Sequence, residues 1–110
     1  EKTISIKVIE CTATKIVADF KPSDDTMAYL PMLFKAADIA EMKDAEIISK
    51  MLSENESNWY GLGASGKSTL TRSSCTPNTD YVLVAVGLKG QFDNVATTGL
   101  FRQEVKTKAK

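Results

Sequence analysis

The residues with the most suggestive spacing are Gly61-Leu-Gly-Ala-Ser-Gly-Lys67-Ser68, which match the phosphate-loop pattern G-x-x-x-x-G-K-[ST]. Gly61, Gly63 and Gly66 also satisfy the dinucleotide pattern G-x-G-x-x-G. Both chemistries need glycines so that backbone N–H groups can wrap a phosphate. Both also need a buried strand before the loop and a helix after it. Here the polar stretch Asn55 to Tyr60 precedes the loop, and the β-prone stretch Thr69 to Ser74 follows it, with Pro77 soon after. No later apolar strand ends in an Asp that could hold magnesium, because Asp80 opens its strand. The expectation is a loop leading into a strand, and a nucleotide-dependent enzyme is the remote alternative.

Other chemistry is thinly supplied. Histidine is absent, which removes the commonest general base and metal ligand and excludes Ser-His-Asp and Cys-His arrangements. Asp24-Asp25, Glu54, Glu56 and Asp93 could form a glycosidase pair, but nothing places any two across a cleft. Asp24 and Asp25 lack a ligand loop with calcium spacing. Neither cofactor nor metal is expected, and the chain reads as no enzyme. Asn55-Glu56-Ser57 is a glycosylation sequon, meaningful only in a host that uses it.

Lys plus Arg number 14 and Asp plus Glu number 14, so the formal charge is zero. No basic run appears, which argues against nucleic acid and anionic membrane as partners. No apolar run is long enough to span a bilayer. The chain begins at Glu1 rather than Met, the expectation being a mature or excised segment. Its 110 residues make a single domain covering 1–110, large enough to bury a core of its own.

The elements follow from periodicity. Thr3 to Val8 alternates, as does Lys15 to Lys21, with turn residues at Glu10 to Thr14 and Pro22 to Asp25. Met27 to Phe34 is continuously apolar except at Pro31, so it is a strand buried on both faces or the start of a helix. As a strand it needs an edge or a bulge at Pro31. Apolar residues from Ile39 to Leu52 follow helical spacing, with Asp38 and Asp44 as plausible N-caps. The spacing predicts a helix from about Asp44 to Leu52, within a helical insertion of about 37–53. Ser53 to Gly66 reads as a loop carrying Trp59-Tyr60, and Lys67 to Arg72 as a short strand. Asp80 to Leu88 is the strongest strand, Lys89 to Ala96 a loop, and Gly99 to Thr107 the last strand. Strands joined by short turns argue an all-β sandwich; an open antiparallel sheet on one helix is the rival.

Within that frame, Cys75-Thr-Pro-Asn-Thr-Asp-Tyr81-Val-Leu-Val84 resembles the fibronectin type III pattern leading into the sixth strand. In that family the Tyr is a structural "tyrosine corner", with a buried ring and a hydroxyl bonded back to nearby backbone. That role would fall to Tyr81. Glu10 to Thr14, Lys15 to Pro22 and Leu100 to Thr107 look like the family's first turn, second strand and closing strand. The chain is similar to fibronectin-III-like modules of surface lipoproteins from Gram-negative gut anaerobes, which carry a helical insertion after the third strand. Cys75 stands where Leu is usual, the third strand lacks the expected Trp, and Arg72 falls where the fifth strand should point inward.

The resemblance implies a fibronectin III-like β-sandwich of about seven strands. It also implies an extracytoplasmic setting, at the cell surface or in the periplasm, beside neighbouring domains of one polypeptide. The function expected is a non-catalytic spacer or interaction module of a larger surface protein. The alternative is a domain that binds a cell-surface protein or glycan through loops at one pole. In this fold Ser23 to Thr26, Ser57 to Gly63 and Leu88 to Asn94 gather at one end. They carry Trp59, Tyr60 and Phe92, which anchor a partner or, for Trp59, pin the long loop to the sandwich. Cys11 and Cys75 fall at one pole, either disulfide-bonded or as two buried thiols. Finally, if Tyr81 faces the core, Val82, Val84 and Val86 face outward and need the inserted helix as cover.

Overall fold

A computed structural model describes residues 2–110. Two antiparallel sheets face each other. The first has three strands in the order β1 (Ile4–Cys11), β2 (Ile16–Pro22), β5 (Ser68–Arg72). The second has four, in the order β4 (Ala64–Ser65), β3 (Ala28–Lys35), β6 (Asp80–Gly90), β7 (Asp93–Lys106). Two helices, α1 (Ala36–Ile39) and α2 (Asp44–Ser57), form the insertion after β3. The chain is therefore a mostly-β, seven-stranded sandwich with a helical insertion after the third strand.

Alternation builds the inner core. Ile16, Ala18 and Phe20 of β2, Tyr29 and Leu33 of β3, and Tyr81, Leu83 and Ala85 of β6 meet between the sheets. Tyr29 is the large aromatic that β3 contributes there, fully buried, with its ring 6.4 Å from that of Phe20. Its hydroxyl donates to the Gly66 carbonyl at 2.7 Å and pairs with the Ser68 hydroxyl, tying the two sheets together where the chain crosses between them.

A second core lies on the opposite face of β3 and β6. Val82, Val84, Val86 and Leu88 pack with Leu30 and Met32 against Ile39, Ile47 and Met51 of the insertion. The helix covers the valine stripe, so β6 is buried on both faces from Tyr81 to Leu88. Pro31 fits because β4 pairs only with Ala28 and Tyr29 of β3. Beyond Tyr29 the outer edge of β3 has no strand neighbour among the described residues, and a missing N–H there breaks no ladder.

Several expected boundaries shift. α2 runs to Ser57, not Leu52. Its N-cap is Lys43, whose N–H donates to the Glu46 carboxylate at 2.9 Å, while Asp44 is the first helical residue. Asp38 lies inside α1 and caps nothing. β1 continues through a bulge after Val8 to Cys11, past the expected start of the turn. The expected 89–96 loop is instead a tight hairpin. β6 runs to Gly90, β7 starts at Asp93, and Gln91-Phe92 form the turn, because Gly90 and Asp93 pair directly. Arg72 pairs with Ile16 and so has inward parity, but it sits at the end of β5 and stays exposed.

Candidate functional site

α2 ends in an unusual way. Asn58 closes the last turn, its side-chain amide donating to the Glu54 carbonyl at 2.8 Å. Trp59 and Tyr60 then both take left-handed backbone, each with φ of 57°. Glycine is the usual residue there, since a Cβ costs roughly 1–2 kcal/mol in that conformation. The conformation is held from beneath. The Tyr60 N–H donates to the Asn55 carbonyl at 2.8 Å, and the Trp59 N–H to the Glu56 carbonyl at 3.1 Å.

Asn55 is the anchor. It is fully buried, and its side-chain oxygen accepts from the Leu62 N–H at 3.1 Å. Its amide nitrogen donates to the Asn94 side-chain oxygen at 3.1 Å, and Asn94 in turn donates to the Leu52 carbonyl at 2.9 Å. This amide pair clasps the end of α2, the loop after it and the β6–β7 hairpin into one unit. Gln91 adds a contact from the hairpin tip to the Gly63 carbonyl at 3.3 Å. Gly63 has to be glycine, because a Cβ would stand 2.5 Å from the Gln91 carbonyl oxygen.

On this scaffold Trp59 is 90 % exposed and Phe92 68 % exposed, with Leu62 and Val95 also presenting apolar surface. Tyr60 is half-buried. Trp59 therefore does not pin the loop onto the sandwich. The loop is held by Asn55, whose sequon amide is buried and engaged and offers no glycosylation site in the folded chain. The segment 23–26 reaches the same end: the Gly66 N–H donates to Met27 O, and a Cβ on Gly66 would lie 3.1 Å from Asp25 O. Asp24 caps this turn by accepting from the Thr26 N–H and hydroxyl at 2.9 and 2.7 Å. The Thr26 backbone bond leads in holding its carboxyl below the usual range, with Lys2 3.7 Å away.

Sequence reasoning named Trp59, Tyr60 and Phe92 but missed Asn55 and Asn94, which position them. By its type alone, a buried Asn inside a helix looks like a residue that faces water.

Gly61 to Ser68 follows a helix end and enters strand β5, so no helix N-terminus backs Lys67. Lys67 reaches 3.6 Å from Asp19 on β2. Among the described residues, no three His, Cys, Asp or Glu side chains gather. Cys11 is a half-buried free thiol and Cys75 a buried one. Each is committed to a carbonyl, Cys11 to Lys106 at 3.2 Å and Cys75 to Arg72 at 3.6 Å. Burial pushes the Cys75 thiol above its ordinary value. The Tyr81 hydroxyl accepts from the Thr76 N–H at 2.8 Å. Thr107, buried beside it, donates to the Thr76 carbonyl at 2.7 Å and accepts from the Thr79 N–H at 2.9 Å.

The fold has a known counterpart. The chain superposes on the sensor domain of the anti-sigma factor RsgI4 from Pseudobacteroides cellulosolvens with a TM-score of 0.61. The match covers 99 % of this chain and 96 % of that one at 16 % identity, so it establishes a shared fold and nothing finer. No family model matches the sequence, and no curated protein matches it.

Proposed function

We propose that this chain is a non-catalytic extracytoplasmic sensing or interaction module that recognises a cell-surface protein or glycan through its aromatic pole. The observation that carries the reading is Trp59. A large aromatic held in strained backbone, almost fully in water and braced by a buried amide clasp, contributes nothing to the core. Strain of this kind gathers at ligand-contacting positions. Exposed Trp and Phe on a rigid sandwich end are typical anchors for proteins and for sugar faces.

The shared fold with a sensor domain supports the sensing half of the reading. Fibronectin type III kinship belongs to the same proposal, supported by the strand order and by the Tyr81 bond to Thr76. So does a place among neighbouring domains. Thr3 is fixed beside Ser23 at the aromatic end, whereas Lys108 bonds Thr12 at the other, which suits end-to-end stacking. No helix among the described residues is long and apolar enough to cross a membrane.

The test is an array of cell-surface polysaccharides and envelope proteins, probed with the domain beside a Trp59→Gly, Phe92→Ser variant. Gly relieves the left-handed strain at position 59, so the variant should melt at or slightly above the parent temperature. Its array signals should nevertheless be lost. Equal signals from both proteins would remove the pole from the account.

A further inference from the structure

The sandwich is open along one side. Among the described residues, β5 has β2 as its only strand neighbour, and β3 beyond Tyr29 has only β6. Tyr29 bridges the two edges at one end of this seam through Gly66 and Ser68. Below that bridge the seam is a chain of three hollows of about 320, 450 and 350 Å³. The first is walled by Pro31, Met32, Leu62 and Leu70; the second reaches Phe34 and Lys50; the third reaches Cys75 and Tyr81. Arg72 borders all three.

Arg72 is exposed and takes part in none of the ion pairs among the described residues, which are Lys2–Asp24, Lys15–Glu10, Lys67–Asp19 and Arg102–Asp44. Asp38 and Glu54 border the hollows but do not pair with it. A planar guanidinium with its donors free suits a carboxylate. A strand edge with free backbone groups suits an extended chain. On β3 that edge is capped by β4 and lacks a donor at Pro31, which leaves β5 as the side to pair with.

We propose that the free edge of β5 docks, antiparallel, an extended segment of a partner protein carrying Asp or Glu followed two positions later by an apolar residue. Leu70 and Arg72 share the inward face, pairing with Ala18 and Ile16. Residues opposite them on an added strand share that face too, about 6.6 Å apart along the strand. The apolar one enters the hollow of Pro31, Met32, Leu62 and Leu70, and the acid meets Arg72. A second copy of this chain does not satisfy the site. Antiparallel pairing of β5 with itself about Leu70 sets Arg72 opposite Ser68, and β5 (Ser-Thr-Leu-Thr-Arg) carries no carboxylate. The inference goes beyond the aromatic-pole reading and does not depend on it.

A display library of randomised short peptides, selected on the immobilised protein and on its Arg72→Glu variant, tests this. The parent should enrich the acidic-x-apolar pattern, and the variant should enrich basic-x-apolar instead, with loss of at least tenfold in affinity for the parent's peptides. Amide shifts on binding should centre on Ser68 to Arg72 and Leu33. Arg72 is exposed at a strand end, so an unchanged melting temperature is the check that the variant folds. The proposal is overturned if nothing is enriched, if the enriched pattern ignores the charge reversal, if shifts map to the aromatic pole, or if the peptide-free protein dimerises through β5.

Discussion

At the scale of single residues, the burden of the site falls on an amide. Asn55 offers one acceptor and one amide nitrogen, and both are used underground, by Leu62 and Asn94. Replacing it with Ala strands the Leu62 N–H and half of Asn94 in a half-buried place. Asn55→Ala should cost about 2–4 kcal/mol in chemical unfolding. Because Asn94 loses its partner in the same step, the Asn55→Ala, Asn94→Ala double variant should cost clearly less than the sum of the singles. Additive losses would show that the two amides act separately. Trp59 illustrates the converse: its left-handed backbone carries a local cost and is held by the Glu56 and Asn55 carbonyls, while its side chain adds nothing to the core.

At the scale of elements, the same sequence was legible in some places and opaque in others. Alternation exposed β2 and β6, and the valine stripe on β6 required a cover that the apolar stripe of α2 could supply. Val84 is fully buried under α2, so Val84→Asp should destabilise by about 3–5 kcal/mol, read from urea unfolding. A variant that unfolds like the parent would mean the helix does not cover this face.

What periodicity could not show was where elements stop. α2 continues through Glu54, Asn55 and Glu56, but only Asn55 on that turn is buried, so the polar run reads as loop. Its end carries no glycine, since Trp59 and Tyr60 take the left-handed turn themselves. The β6–β7 hairpin was hidden for the opposite reason: Gly90, Asp93 and Asn94 are turn-forming types, yet Gly90 and Asp93 are the paired residues flanking a two-residue turn. The aromatic residues of the pole were visible as types. Their gathering depended on those two misplaced boundaries, and the Asn55–Asn94 clasp left no mark in the spacing.

At the scale of the whole molecule, two buried weak acids should set an alkaline limit. Burial raises the Tyr29 phenol above its ordinary 10.0 and the Cys75 thiol above its ordinary 9.0. Both groups are neutral in folded and unfolded chains at neutral pH, and there their contribution is intact. Above about pH 9 the unfolded chain loses these protons first, so stability should fall as pH rises through 9 and beyond 10. A Tyr29→Phe, Cys75→Ala variant should be less stable at neutral pH, because the Gly66 carbonyl loses its partner. Its loss between neutral pH and about pH 10.5 should be smaller than the parent's. Parallel pH profiles would place the alkaline limit elsewhere.

The central claim is that one end of this sandwich holds an aromatic residue in water for recognition, rigidly and at local cost. Trp59 is the chain's only tryptophan, so its fluorescence reports on that claim without ambiguity. Time-resolved anisotropy of the free domain, recorded with increasing acrylamide, measures exposure and rigidity together. The account predicts emission as red as a hydrated indole and quenching close to that of free tryptophan amide, with anisotropy decaying mainly at the tumbling rate of the whole domain. A blue-shifted, shielded Trp59, or one whirling freely on a loose loop, would contradict it.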